Sequence, residues 1–557
     1  MRSELPLSRA EKLELVGLAL LAILPLIPYL VLLLVRGVPR YSLVADFALM
    51  ARDTAHVWSG ETLIGLGSRW GWHHPGPILY YAGAPFELLW KPSHTGLYLG
   101  TWCITAFSAA VPVVAIRRYV GRPHAIGTLI VILAWLAAFG NLGANPWTRT
   151  VVVLPLIAFF VAMALFAKGE SGALLPGAVL GMVVAQTHVS PTPMVAVMGG
   201  IAAIAFFIAA RRRGGVTRKE WIRIAITVGV VIALIAPMVI EELRAAPGQG
   251  NISKILRFAR HREEPLRPWG NAFKNWVLAT SWFPDRLFEA TLLHEGDLVQ
   301  VFRWEPVPLG ISRTARTIVG VQVLLVAASS FVAFRRRDVP SLLLLGLGVI
   351  GSVFAVSGLR QILGEEHYSL VFWAIAPSAV AWIGVATTVA SAVSAHFGRR
   401  SEDTRPRRVR TLVGSGILVA VIVSTIFNWN WLARSPRAPG SAPEWLAVSV
   451  RSVLEQIEAR VAKENAVPAV HLLGAWPFAT VAVLELERSG VDVRIPDVDL
   501  WSYIGAKRVA DAPRVLHVYF DTPDDPLPIA SCLELLAQDG WIKAYGGPVE
   551  VTRCAEP

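Results

Sequence analysis

The feature that most constrains this chain is a series of apolar runs, each long enough to cross the hydrocarbon core of a bilayer. Such a crossing takes about 20 residues of helix. Of the 557 residues, 54% are hydrophobic and only 17% are charged, which excludes an ordinary soluble domain. The pattern predicts a polytopic α-helical membrane protein. We expect about eleven spans, near residues 13–35, 97–116, 124–141, 150–167, 173–190, 194–210, 223–240, 317–334, 341–358, 370–395 and 411–428.

Basic residues in short loops predict the orientation, because Lys and Arg are retained on the cytoplasmic side. With the N-terminus inside, the basic clusters at 117–122, 168, 211–219, 335–337 and 399–410 all fall in the cytoplasm. The outer face then carries loop 36–96, loop 241–316 and the whole tail. This charge pattern suits the inner leaflet of a bacterial plasma membrane and argues against a nucleic-acid partner.

A change of composition near residue 435 predicts two domains. Residues 1–434 carry a net charge of +18, whereas residues 435–557 carry −6. In the tail, helical patterns at 444–463, 476–488 and 528–539 alternate with apolar segments at 469–473, 491–495 and 515–520 that resemble short strands. This alternation predicts an extracytoplasmic α/β domain. Its two cysteines, Cys532 and Cys554, can pair in such a compartment.

The first outer loop opens with YSLVADFALMARDTAHVW, residues 41–58, whose apolar residues are spaced for one helical face. Asp46 and Asp53 are seven residues apart and therefore lie two turns apart on one face. A helix of this kind lies along the membrane surface. Two interpretations of Asp46 stay open: a solvated polar-face residue, or a carboxylate turned toward a reaction cavity directly after the first span.

An aromatic segment, RWGWHHPGPILYY at residues 69–81, follows. Pro75 and Pro77 exclude a regular helix and predict a turn. Its aromatic rings either stack on a sugar or anchor the loop at the membrane interface. Adjacent histidines on an extended segment point in opposite directions, so we predict no metal site. The candidate sugar- or acceptor-binding residues here are Trp72, His73, His74, Tyr80 and Tyr81.

Further polar residues lie at the outer ends of other spans. His188 lies near the end of the fifth span, where an unpaired histidine is costly. Arg360 and His367 lie in the short outer loop 359–369, where they either bind a lipid phosphate through charge-assisted hydrogen bonds or pair with Glu365 and Glu366. The turn that contains Arg149 is interpreted as structural.

These features together resemble the GT-C superfamily of integral membrane glycosyltransferases. The resemblance is to the branch with protein mannosyltransferases, the aminoarabinose transferase of lipid A and bacterial arabinosyltransferases. It rests on the number of spans, the inside start, the large first outer loop, Asp46 early in that loop, the segment GSRWGWHHPGPILYY and the outer tail. Family members often carry two adjacent acidic residues, whereas Asp46 is followed by Phe47.

The resemblance implies transfer of a sugar from a polyprenyl phosphate to a hydroxyl, with inversion and without a cofactor. Asp46 would act as the general base, with Asp53 in reserve. Arg360 and His367, and as second choices Arg257 and Arg260, would bind the departing phosphate. The acceptor would be a cell-envelope glycan, lipid or protein.

Two rival functions follow from other classes of protein. A transporter or flippase of a lipid-linked precursor typically has repeat symmetry and ionisable residues within its spans, and we find neither in the sequence. A non-catalytic envelope-assembly protein with a GT-C-like fold stays open because Asp46 has no acidic neighbour.

Overall fold

A computed structural model describes residues 7–68, 70–90, 93–262, 264–292, 310–364, 366–399, 405–434, 437–438, 440–441, 444–474, 476–495, 514–521, 534–539 and 542–547. Within these ranges, nine helices are long and apolar enough to cross a membrane, and two more apolar helices, Ser171–Thr187 and Gly414–Asn430, are shorter. A helical multi-pass membrane protein with a small C-terminal sheet is therefore confirmed. The number eleven stays a prediction.

The helices follow one another through most of the chain. They are α1 (Arg9–Ile23), α2 (Ile27–Arg36), α3 (Asp46–Ala55), α4 (Ile78–Glu87), α5 (Thr95–Tyr119), α6 (Arg122–Phe139), α7 (Thr148–Val151), α8 (Val153–Lys168), α9 (Leu174–Thr187), α10 (Thr192–Arg212), α11 (Arg218–Arg244), α12 (Asn251–Arg260), α13 (Trp269–Leu292), α14 (Arg313–Arg336), α15 (Val339–Leu359), α16 (Tyr368–Val371), α17 (Ile375–Arg399), α18 (Arg405–Arg434), α19 (Glu444–Glu464) and α20 (Trp476–Arg488). The predicted loops 36–96 and 241–316 thus contain helices of their own.

The chain forms two compact units. The first unit comprises residues 1–31, 101–236 and 261–436. Its core is α8, in which every residue from Val153 to Ala167 is buried. A helix that is apolar on all sides is expected to be enclosed by other helices. Around α8 pack α9, α10, α15 and α17, and α17 also packs on α6.

The second unit comprises residues 32–100, 237–260 and 437–557. Its sheet has the strands β1 (Val467–Gly474), β2 (Val515–Asp521), β3 (Glu534–Asp539) and β4 (Ile542–Gly547), in the order β1-β2-β4-β3. β1 and β2 are parallel, and the other two pairs are antiparallel. Helix α20 packs on β1 and on α3, while α19 packs on β3. The domain boundary at residue 435 stays a prediction.

Two secondary-structure predictions in the tail were wrong. The described part of the helix predicted at 528–539 is strand β3 (Glu534–Asp539), because its residues pair with β4 across a bulge between Leu535 and Ala537; residues 528–533 lie outside the described residues. Its Leu, Ala, Glu and Gln residues favour helix locally, and the tertiary pairing overrides that preference. The strand predicted at 491–495 contributes only one isolated bridge, between Arg494 and Ala469.

Candidate functional site

Helix α3 holds the first candidate residues. The helical pattern was predicted over residues 41–58, whereas α3 spans only Asp46–Ala55. The entry to the helix is strained, since Ala45 and Tyr41 have φ values of 56° and 62°, which L-residues rarely adopt. Gly440 fixes the entry from the other side: a Cβ there would lie 2.2 Å from the Phe47 ring. Asp46 is half-buried in the first turn, where the helix dipole favours negative charge.

Asp53 lies one residue after Arg52 near the other end of α3. The Arg52 guanidinium contacts the Asp53 carboxylate at 3.4 Å. The stronger partner of Arg52 is Glu487 on α20, which accepts two hydrogen bonds of 2.7 and 3.0 Å. Burial raises the pKa of the Asp53 carboxyl to about 7; the Arg52 charge opposes this rise and the Glu487 charge adds to it. Asp53 therefore changes protonation near neutral pH.

Tyr80 on α4 lies in the field of both aspartates. It is 1% exposed, and its hydroxyl has no hydrogen-bond partner within the described part of the chain. Burial raises the pKa of Tyr80, and the charges of Asp53 and Asp46 raise it further. Tyr81 differs, because its hydroxyl donates to Thr62 O at 2.9 Å. Tyr80 thus carries a buried hydroxyl donor whose pKa both carboxylates raise.

The histidines lie on a small hairpin. Its backbone hydrogen bonds run from Gly65 N–H to His74 O at 2.9 Å and from His74 N–H to Leu66 O at 2.8 Å. His73 Nδ1 contacts Gly65 O at 3.0 Å, and Asn251 of α12 accepts from the His73 amide at 2.7 Å. His73 therefore holds the hairpin to α12. His74 is buried, with its ring edge-on to Trp72 at 5.8 Å.

Glu485 on α20 joins the segment before α3, which contains Arg40 and Tyr41, to the segment before α5, which contains His94. It is 1% exposed and pairs with Arg40 at 2.7 Å and with His94 Nε2 at 2.7 Å. It also accepts from the Tyr41 amide at 2.9 Å. Burial acts to raise the pKa of Glu485, but the hydrogen bonds from His94, Tyr41 and Arg40 outweigh it and lower the pKa to about 2. We call Asp46, Asp53, Glu485 and Glu487 the carboxylate cluster.

The first unit contains a group of cations between α13 and the short loop after α15. Arg360 Nε donates to Arg267 O at 3.0 Å, and the Arg360 guanidinium lies 4.0 Å from the centroid of the Trp269 ring. Glu366 pairs with Arg267 at 3.0 Å and with Lys274 at 3.2 Å. We call Arg267, Lys274 and Arg360, with Glu366, the cation loop.

Charge in the cation loop is only partly neutralised. Among the described residues, one carboxylate, Glu366, faces the two cations Arg267 and Lys274. Arg360 has a carbonyl and an aromatic ring as partners instead of a carboxylate. A guanidinium in such surroundings keeps terminal donors for an anion. The predicted partner Glu365 lies outside the described residues.

His367, Arg149 and His188 are further polar residues of this unit. His367 is 5% exposed and precedes α16. The Arg149 guanidinium donates to Ser369 Oγ at 2.8 Å and lies over the Trp147 ring at 5.0 Å. His188 is 4% exposed at the end of α9. Thr192 Oγ1 donates to its carbonyl at 3.1 Å.

The remaining predicted cations lie on α12 of the second unit. Arg257 donates to the carbonyl of Gly248, and Arg260 is exposed at the last position of the helix. Trp70 and Trp72 pack on Phe258, with ring centroids 5.9 and 5.4 Å away. Cys532 and Cys554 lie outside the described residues.

Among the described residues, no group of three His, Cys, Asp or Glu side chains is arranged to hold a metal.

An apolar cleft lies in the first unit. Part of its lining comes from residues 150–154, which follow Arg149 in sequence. Phe139, Trp135 and Leu154 form much of its wall, and Thr105 and Thr150 are its only hydroxyl residues. Its full lining is Thr105, Trp135, Leu136, Phe139, Leu142, Gly143, Thr150, Val151, Val153 and Leu154. The cleft is small, about 20 Å³, which is room for about one water molecule.

Sequence reasoning missed three contributions to these sites. Glu485 and Glu487 gave no signal, because their partners Arg40 and Arg52 lie 445 and 435 residues away in sequence. Arg149 was interpreted as part of a structural turn, although an arginine beside a run of apolar residues could have been counted with the phosphate-binding candidates.

Comparisons with known proteins extend over the whole chain only at the level of structure. No family model and no curated protein matches. Two solved structures of ArnT from Cupriavidus metallidurans, a GT-C glycosyltransferase, are similar to the chain at 14% identity. The one bound to undecaprenyl phosphate has a TM-score of 0.46 and covers 99% of this chain and 100% of that one. The apo structure has a TM-score of 0.36, with 95% and 97% covered.

Proposed function

We propose that this protein is a membrane glycosyltransferase that moves a sugar from a polyprenyl phosphate to a hydroxyl of a cell-envelope acceptor. The observation that carries the proposal is the arrangement on α3. Two carboxyl groups, the half-buried Asp46 in the first turn and Asp53 near the other end, lie on this one helix. A hydroxyl is a weak nucleophile, so its attack is assisted by a carboxylate that accepts the proton as the bond forms.

Asp46 is the proposed general base. The acceptor oxygen attacks the anomeric carbon while the bond from that carbon to the phosphate oxygen breaks. The acceptor proton moves to the Asp46 carboxylate, and the phosphate leaves with the bonding electron pair. Direct displacement of this kind inverts the anomeric centre. Asp53, whose pKa is about 7, orients the acceptor and is the reserve base.

The leaving phosphate is the proposed ligand of the cations. Arg360 has terminal donors that no described carboxylate takes up, and stacking on Trp269 fixes its plane. Charge-assisted donors held in place before the reaction stabilise developing negative charge most effectively. His367 and Arg149 are further candidates. Arg257 and Arg260 stay second choices, since Arg257 already donates to the Gly248 carbonyl.

The other ligand groups are assigned by their chemistry. Tyr80, Trp72 and His74 are proposed to contact sugar or acceptor, because each is buried and polar at one edge. Tyr81, His73 and His188 are weaker candidates, since the first two already serve backbone carbonyls. The prenyl chain is proposed to lie in apolar grooves between the membrane-spanning helices. The structure of ArnT bound to undecaprenyl phosphate motivates that lipid as a probe.

Location completes the proposal. We propose that the N-terminus and the short basic loops are cytoplasmic, and that residues 435–557 are extracytoplasmic at the plasma membrane. This orientation follows from the distribution of Lys and Arg and puts the chemistry at the outer face.

A strain that lacks the protein tests the assignment. We expect loss of one envelope glycoconjugate, restored by the wild-type gene and not by Asp46→Asn. Glu455→Gln is the control, because that residue pairs on the surface of α19. Full restoration by Asp46→Asn, with normal protein levels, would refute the catalytic role and favour a non-catalytic assembly protein.

A further inference from the structure

One guanidinium stands between two carboxylates at the junction of α3 and α20. Arg52 makes two hydrogen bonds to Glu487, of 2.7 and 3.0 Å, and one longer contact of 3.4 Å to Asp53. All three side chains are largely enclosed, with exposures of 11%, 13% and 24% for Arg52, Glu487 and Asp53. The bidentate pair is the stronger interaction, because both bonds are short and the planar geometry matches.

Few other charges face this triad. His56 Nε2 lies 3.7 Å from Glu487, and its Nδ1 lies 3.7 Å from Glu61. Tyr80 faces Asp53 from α4, and Asp46 lies on the same helix. Arg52 is therefore the principal cation for both Asp53 and Glu487, and the two carboxylates compete for it.

We propose that Glu487 is a positioning residue for Asp53: by engaging Arg52 in a two-bond pair, it holds the guanidinium at the longer contact of 3.4 Å and keeps it from forming a two-bond pair with the Asp53 carboxylate. The C-terminal domain thereby controls a group on the first outer loop. The catalytic meaning of this control rests on the proposed function, whereas the control itself does not.

Two substitutions are expected to move the titration of Asp53 in opposite directions. Glu487→Gln removes a negative charge and frees Arg52 to pair with Asp53, so both effects lower the pKa of Asp53 from about 7. Arg52→Gln removes the opposing cation, so the pKa rises. A shift of about one unit or more is expected in each case, since an opposite charge in contact shifts a carboxyl by about 1 to 3 units.

The experiment is a pH titration of the purified full-length protein by infrared difference spectroscopy. The protonated carboxyl band that disappears in Asp53→Asn identifies Asp53, and its midpoint is read in wild type, Glu487→Gln and Arg52→Gln. Glu455→Gln is the matched control, because it removes a paired glutamate elsewhere in the same domain. We expect the midpoint to fall with Glu487→Gln, to rise with Arg52→Gln and to stay unchanged in the control.

The outcomes separate this inference from the proposed function. The control of Asp53 by Glu487 would be overturned if the Asp53 midpoints of the two variants equalled that of wild type, or if both moved in the same direction. If Glu487→Gln does not fold, Arg52→Gln alone still decides, since an unchanged or lower midpoint contradicts the proposal. No sugar donor enters the measurement. If Asp46→Asn kept full transfer activity, the proposed function would fail, but the inference about Glu487 and Asp53 would not be affected.

Discussion

The carboxylate cluster and the cation loop differ in how their charges are balanced. In the carboxylate cluster, Glu485 and Glu487 each have close cationic partners, whereas the cation that contacts Asp53 within the described part of the chain, Arg52, lies at a longer distance. In the cation loop, Glu366 is the one carboxylate among the described residues that pairs with Arg267 and Lys274, and Arg360 is held by a carbonyl and a ring. A region with a spare carboxyl suits proton transfer, and a region with spare guanidinium donors suits an anion. The comparison teaches that the groups available for chemistry are identified by whether each has a close partner of opposite charge, more than by how many charges a region contains.

The largest expected effect is on the fully paired member of the carboxylate cluster. Glu485→Ala leaves Arg40 and His94 without their shared partner, and loss of one member of a buried ion pair costs about 3–5 kcal/mol. We expect this loss in the free energy of unfolding, measured by denaturation in detergent. Glu455→Ala is the control and should leave stability unchanged. Equal effects of the two variants would break the comparison, because Glu485 would then not act as a buried partner.

The next effect concerns the spare guanidinium. Arg360→Ala should weaken binding of undecaprenyl phosphate to the purified protein by about 10- to 100-fold, since a hydrogen bond to a charged group contributes about 1.5–3 kcal/mol. The affinity of Arg360→Lys should lie between those of wild type and Arg360→Ala, because lysine keeps the charge but lacks the planar guanidinium group. Arg451→Ala, on the surface of α19, is the control. Unchanged affinity in Arg360→Ala would remove the cation loop from phosphate binding.

A smaller effect distinguishes the two titrating carboxyls by pH. The raised pKa of Asp53 favours its protonated form in the folded state, so stability falls as pH rises from about 4 to about 7. Because Asp53 is 24% exposed, we expect about 1–2 kcal/mol over that interval. Asp53→Asn should remove this slope.

Glu485 gives the opposite slope at lower pH. Its lowered pKa stabilises the fold above about pH 4.5, and that stability is lost as pH falls toward 2. Thermal unfolding across pH measures both. A profile that Asp53→Asn leaves unchanged between pH 4 and 7 would contradict the assignment of that slope to Asp53.

The smallest effect sharpens the contrast between paired and unpaired groups. Tyr80→Phe should change the free energy of unfolding by less than about 0.5 kcal/mol, because no described partner loses a hydrogen bond. Tyr81→Phe is the matched variant and should cost about 1 kcal/mol, since its bond to Thr62 is lost. If Tyr80→Phe retains stability but loses transfer activity, its hydroxyl serves the substrates. A larger loss of stability in Tyr80→Phe than in Tyr81→Phe would contradict this interpretation.

The fold followed from the sequence wherever the cause was local. The apolar runs gave the helical membrane architecture, and the periodicity of residues 41–58 gave α3 with both aspartates on it. The tail was harder, because β3 has helix-favouring residues and becomes a strand only through β4. The partners of Arg40 and Arg52 were not predictable, because pairing across more than 400 residues leaves no pattern in one sequence.

The bond between Arg40 and Glu485 has a consequence for how the chain matures. The two residues are 445 positions apart, and ribosomes add about 5–20 residues per second. The first loop therefore waits about 20 to 90 s after its own synthesis before the carboxylate that joins Arg40 and His94 exists. During that interval Arg40 and His94 lack the carboxylate of Glu485 as their partner. A chain arrested before α20 therefore differs from the finished protein in these two unpaired side chains.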